Sequence, residues 1–210
     1  MNLIESLLNG SIYMDQFLEK AEKDTGLQEQ IRGLLPISAL EDSSHDFWRV
    51  FPFDSVRRND FDFYKFIFWA LQPGRRIGNY YSIYERIKKA YLYHNPKAIC
   101  TEMYEREFDL YLDVIKDCFD GPEVGPIVDR IFEDVRNIKS KSKRTQYAKK
   151  VISEQFHLDK KRPRWVQGPE WPMGKHSPMR YVDQGKIGDL VEYVFQDMYT
   201  EETRIVKQYY

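Results

Sequence analysis

The sequence predicts an α+β fold: a mainly helical N-terminal body and a small C-terminal three-stranded antiparallel β-meander. Three observations carry that reading. Apolar residues recur at helical spacing from Asn2 to about Ile138, and again through "KRTQYAKKVISEQFHL". Prolines at 163, 169, 172 and 178 then forbid regular helix. Beyond them, "MRYVDQ", "LVEYVFQDMY" and "TRIVKQYY" are rich in Tyr, Val, Ile and Phe and are separated by short polar turns. The expected division is a helical body over 1–158 and a Pro/Trp-rich link with the meander over 159–210. Three strands are marginal alone, so the meander is expected to pack on the helices as one compact unit.

The elements follow in order. "SIYMDQFLEKAEKD" offers Ser11 as an N-cap, with Met14, Phe17, Leu18 and Ala21 inward and Gly26 as the breaker. "LQEQIRGLLP" gives a short helix with Leu27, Ile31, Leu34 and Leu35 inward. "SSHDFWRVF" has Ser43 or Ser44 as a cap and Phe47, Trp48 and Phe51 as anchors. "NDFDFYKFIFWALQPG" leaves almost no polar face from Phe61 to Leu71, which predicts a central helix and the hub of a bundle. "NYYSIYERIKKAYLYHNP" is amphipathic, with Tyr80, Ile83, Tyr84, Ile87 and Tyr91 on one stripe. "AICTEMYEREFDLYLDVIKDCFDG" predicts the longest helix, with Cys100, Tyr104, Phe108, Tyr111, Ile115 and Cys118 inward. "PIVDRIFEDVRNI" places Pro126 at a first helical position. In the middle strand, Val191, Tyr193 and Phe195 share one face.

Composition narrows the function. The 210 residues hold 32 basic and 33 acidic side chains, a net charge of -1, which argues against a dedicated nucleic-acid coat protein. The two cysteines lie on one expected helix, about 27 Å apart, and read as small buried hydrophobes in a reducing compartment. "MNLIESLLNG" lacks the basic n-region and apolar run of a signal peptide, and "FYKFIFWAL" is too short to span a bilayer. The expected location is cytoplasmic.

Motifs for chemistry are sparse. His45, His94, His157 and His176 stand in different elements without metal-ligand spacing, so no metal or cofactor is expected. "SSHDFW" reads as a helix start, because a catalytic triad is assembled in space and not from adjacent residues. "PGRRIGN" could hold an anion but reads as a solvated turn. Charge, by contrast, is segregated. From Glu102 to Asp134 there are eleven acidic and three basic residues, and from Lys139 to Arg164 ten basic and two acidic. On a helix from Ile99 to Phe119, Glu102, Glu105, Asp109, Asp113 and Asp120 fall within one arc, which Lys116 interrupts. That arc is either a solvated face or a docking surface for a basic partner. The basic segment 139–150, with Lys139, Lys141, Lys143 and Arg144, could contact phosphate backbones, or it could neutralise the acidic helix internally. It lacks the interleaved aromatics of a single-strand platform.

The order Pro163, Trp165, Gln167, Pro169, Glu170, Trp171, Pro172, then Gly174-Lys175 and Ser177-Pro178-Met179, resembles a short C-terminal module of uncharacterised bacterial proteins. "YVFQDMYTEETRIVKQYY" is similar to its strand ending. The resemblance covers the closing quarter of the chain and carries no catalytic residue. It implies a member of the polymorphic toxin–immunity neighbourhoods: a non-enzymatic immunity protein that occludes a cognate, basic toxin. Glu102, Glu105, Asp109 and Asp113 are then the candidate partner-binding residues. Trp165, Gln167, Glu170 and Trp171 form the expected latch, ordered by the prolines and plugged into an apolar surface. The alternatives are a nucleic-acid-associated regulator using 139–150 and an enzyme whose site is assembled only in space.

Overall fold

The computed structural model describes residues 2–34, 63–114, 123–158 and 161–210. Among them lie eight helices and one sheet, the predicted α+β architecture. The helices are α1 (Leu3–Leu8), α2 (Met14–Lys23), α3 (Thr25–Leu34), α4 (Phe63–Ala70), α5 (Arg76–His94), α6 (Met103–Val114), α7 (Gly125–Val135) and α8 (Lys141–Gln155). The strands are β1 (Arg180–Ile187), β2 (Leu190–Gln196) and β3 (Thr203–Tyr209). Contacts divide the chain into two compact units, Met1–Leu71 with Asn79–Tyr104, and Gln72–Gly78 with Glu105–Tyr210. That grouping places α7 and α8 with the sheet, so it differs from the division at 158/159 expected from the sequence.

In the first unit, Leu7, Leu8, Met14, Phe17, Ile31, Phe66, Tyr80, Ile83 and Tyr84 form the centre of the core. The inward set of α2 is the predicted one: Met14, Phe17, Leu18 and Ala21. Its boundaries differ. The N-cap is Tyr13, whose N–H donates to Gln16 Oε1 at 3.3 Å, and Ser11 lies in the preceding turn. The break comes at Asp24, whose carboxylate accepts the Leu27 N–H at 3.0 Å and opens α3, with Gly26 inside its first turn. Leu27 and Ile31 are buried and Leu34 half-buried. Leu35, Ser43, Ser44, His45, Phe47, Trp48, Phe51 and Phe61 lie outside the described residues.

The expected hub is not one. α4 buries Phe63, Phe66 and Ala70 but leaves Tyr64 79% and Phe68 73% exposed. One stripe of α4, Phe63, Phe66 and Ala70, meets the core, however apolar the rest. The nineteen-residue α5 is the longest described helix and supplies Tyr80, Ile83, Tyr84 and Ile87. Around them the aromatic rings interlock: Tyr84 lies 4.5 Å from Tyr104, and Tyr13 lies 5.4 Å from Tyr104 and 5.8 Å from Tyr80.

In the second unit, α7 carries Pro126 in its first turn, where a missing N–H costs nothing, and buries Val128, Ile131, Phe132 and Val135. A Cβ at Gly125 would stand 2.4 Å from the backbone carbon of Pro73, so this helix start requires glycine. Ser140 caps α8 by accepting the Lys143 N–H at 3.4 Å. The sheet order is β1-β2-β3, antiparallel throughout. Its register shifts between Tyr181 and Asp183, leaving Val182 as the extra residue of a bulge. Tyr181, Val191, Tyr193, Phe195, Val206 and Gln208 are buried.

The link crosses that face, and Gln208, only 1% exposed, holds it. Its Oε1 accepts the N–H groups of Val166 and Gln167, each at 3.0 Å. Its Nε2 donates to the Gly168 carbonyl at 2.6 Å and to the Glu170 carboxylate at 3.3 Å. Tyr193 OH donates to the Arg164 carbonyl at 2.8 Å. The Val166 N–H also reaches Tyr193 Oη at 2.9 Å, so truncating Gln208 orphans one backbone donor, at Gln167, and the Gly168 carbonyl, and Gln208→Ala is expected to cost about 2–4 kcal/mol in chemical denaturation. Gln167→Ala, which removes one exposed bond to the Tyr209 carbonyl, is expected to cost about 1 kcal/mol or less. Equal losses would show that the buried amide has no special role.

Candidate partner-binding face

Helix α6 begins where the Thr101 hydroxyl accepts the Met103 N–H at 3.2 Å. Tyr104 on this helix belongs to the first unit and Glu105 onward to the second. Within the second unit Leu110, Tyr111 and Val114 are buried, and Tyr111 meets Phe132 with ring centroids 6.2 Å apart. Glu107 is also buried, with its carboxylate 4.0 Å from Arg136 Nε. The inward stripe therefore takes in Leu110 and an acid; Phe108 is half-buried, and Ile115 and Cys118 lie outside the described residues. Cys100 is half-buried ahead of the helix.

Opposite that stripe stand the predicted carboxylates. Glu105, Asp109 and Asp113 recur every four residues, a drift of about 40° per step, so they share one face. Asp109 and Asp113 are exposed and Glu105 is half-buried. Among the described residues no Lys or Arg comes within ion-pair distance of Asp109 or Asp113. Leu112, 40% exposed, lies on the same face. Glu102 is exposed but precedes α6, in the first unit, and so stands outside the helical row. Asp120 and Lys116 lie outside the described residues.

Two of the charges met in sequence have gone inside instead. Arg76, read as part of a solvated turn, sits in α5 with Nε 3.6 Å from buried Asp129 and Nη1 3.7 Å from Glu133. Arg144, counted in the basic segment, is buried and donates to the Ile138 carbonyl at 2.9 Å. Lys139, Lys141, Lys143 and Lys149 remain exposed, and none pairs with the acids of α6. Internal neutralisation of α6 by this segment is thus not what the side chains do.

The expected latch residues divide by burial. Trp171 is 1% exposed, donates its indole N–H to the Met179 carbonyl at 2.8 Å, and packs edge-on to Phe156 and Phe195. Trp165 is half-buried, 4.6 Å from the Tyr193 ring. Gln167 and Glu170 are exposed and act through the Tyr209 carbonyl and Gln208. Burial pushes the Tyr193 hydroxyl up and that of Tyr181 up to about 12, so both remain donors at neutral pH.

The three described histidines do not converge. His94 is exposed at the end of α5, His176 stands edge-on to Tyr199, and His45 lies outside the described residues. His157 has a left-handed φ of 49° and follows α8, and its Nε2 lies 3.0 Å from Ser177 Oγ. The Leu158 N–H returns to the Ser153 carbonyl at 2.9 Å, which makes His157 the turning residue of a helix C-cap. Among the described residues no three His, Cys, Asp or Glu side chains are placed to hold a metal, and no helix is long and apolar enough to cross a membrane. No family model, curated protein or solved structure matches the chain.

Sequence reasoning missed Asp197. Buried where β2 ends, its carboxylate accepts the N–H groups of Lys175 at 2.5 Å, Tyr199 at 2.7 Å and Thr200 at 3.2 Å. A Cβ at Gly174 would stand 2.5 Å from its Oδ2, so Gly174 makes room for it. The Lys175 and Tyr199 amides hold this carboxyl below its ordinary value of 3.8. Its contribution to stability is full above the unfolded value and is lost as pH falls through the lower folded one. Asp197→Asn is expected to be less stable at neutral pH and to show a shallower loss on acidification below 3.8, measured by thermal melts across pH. Parallel acid limbs in the two proteins would exclude Asp197 as a source of the acid sensitivity.

Proposed function

We propose that this chain is a non-enzymatic binding protein of the bacterial cytoplasm, an immunity protein that neutralises a cognate toxin by covering its basic active surface. The observation that carries the reading is the row on α6: Asp109 and Asp113 are exposed on a helix anchored by Leu110, Tyr111 and Val114, and among the described residues no cation pairs with them. Carboxylates left in water keep their field for an incoming partner and raise its association rate. Charges at a rim contribute little binding energy alone, so a desolvated apolar contact is also required. Leu112 lies on the same face and supplies one. The resemblance of the link and strand ending to a module of toxin–immunity neighbourhoods points the same way.

The test is affinity purification of the tagged protein from its own host, at low and high salt, with Asp109→Lys/Asp113→Lys alongside. A stoichiometric protein partner of basic net charge is expected. The double variant should hold it at least about tenfold more weakly, as reversal of two rim charges against a basic surface requires. Undiminished retention by the double variant, or an eluate without a stoichiometric protein partner, sinks the proposal.

A further inference from the structure

We infer that the outer face of α8 binds the phosphate backbone of duplex nucleic acid, independently of the acidic row on α6. The helix is pinned by Arg144, Ala148 and Ile152, all buried, which fixes what its other side presents. At 100° per residue, Lys149, Ser142, Ser153, Gln146, Lys150 and Lys143 follow one another across an arc of about 120°. All six are exposed, and no carboxylate interrupts them. Glu154 sits at the edge of the arc, with its Oε1 3.9 Å from Lys150 Nζ, and both side chains are largely in water. Such a pair is worth little and yields readily to a phosphate. Among the described residues Lys143 and Lys149 have no acidic partner, and Lys139 and Lys141 extend the positive end beyond them.

The chemistry fits a backbone better than a base edge or a small anion. Lys143 and Lys150 are separated by about 10 Å along the axis, so they reach successive phosphates and do not converge on one. The Ser142 hydroxyl and the Gln146 amide lie between the lysines, and neutral donors of this kind bond phosphate oxygens and fix register. No unengaged aromatic lies in the arc on which a splayed base could stack. Tyr147, at its margin, spends its hydroxyl on Asp134 at 3.0 Å. That favours duplex over single strand. The chain's overall charge of -1 does not oppose this, because screening beyond about 10 Å leaves the local field of α8 to act alone.

The test is fluorescence anisotropy of a short labelled duplex titrated with the full chain between about 50 and 200 mM salt. Three lysines on phosphates predict a slope of log K against log salt of about -2.7. Lys143→Glu/Lys149→Glu/Lys150→Glu is expected to weaken binding at least tenfold. The corresponding triple arginine variant should keep it, which separates loss of charge from loss of fold. Absence of binding at the lowest salt, a charge-reversed variant that binds normally, or a preference for single strands overturns the inference. Asp109→Lys/Asp113→Lys should not weaken duplex binding, so failure here and failure of the immunity reading are told apart.

Discussion

The second unit turns on one buried amide. A glutamine with both ends of its side chain out of water must find partners for an oxygen and an NH2 group, or the burial is costly. Gln208 finds them in a stretch of chain that has no ladder of its own, between Arg164 and Glu170. The exchange is mutual. The link's amide at 167 and its carbonyl at 168 would otherwise face an aromatic surface with nothing to bond, while the amide at 166 is shared with Tyr193 Oη. Prolines at 163, 169 and 172 reduce the conformations that the link gives up on docking. Trp171 then adds the apolar part of the bargain, and its indole N–H is satisfied within the same segment at the Met179 carbonyl.

This seam shows which parts of the fold were legible in the sequence. Val191, Tyr193 and Phe195 alternate and are apolar, and all three lie inward as read. Val206 and Gln208 continue the same alternation on β3. The period placed Gln208 inside, but a glutamine reads as an outward residue, because hydrophobicity alone carries no record of which backbone groups will need a partner. The same blindness covers Glu107 and Asp129, which are buried beside Arg136 and Arg76, and Arg144, which is buried against the Ile138 carbonyl of the turn before its own helix. Asp197 is legible only with the turn in hand, since its donors come from residue 175 as well as from 199 and 200.

Which side of a helix is covered was the other missing variable. The run from Phe61 to Leu71 is apolar on every side, and composition of that kind describes a buried helix only when neighbours surround it. α4 buries one stripe, and Tyr64 and Phe68 are largely exposed. The amphipathic α5, with its polar face declared in the sequence, does the work of the core instead. A helix that specifies which side is wet also specifies its orientation, and a uniformly apolar one does not.

The candidate site was legible for a different reason. Charge counts along the chain identify an acidic and then a basic tract, and they leave open whether the two cancel. Side-chain positions decide that. The charges that are consumed, Arg76 with Asp129, Arg136 with Glu107, and Arg144 on a carbonyl, are partly or wholly out of solvent. Arginine suits these places because it is weakly hydrated and forks toward several acceptors. The lysines of α8 and the aspartates of α6 are strongly hydrated, stay outside, and are not spent on each other. Burial therefore sorts the charges into those that hold the unit together and those that project a field. Only the second set can act on another molecule, and α6 and α8 carry it with opposite sign.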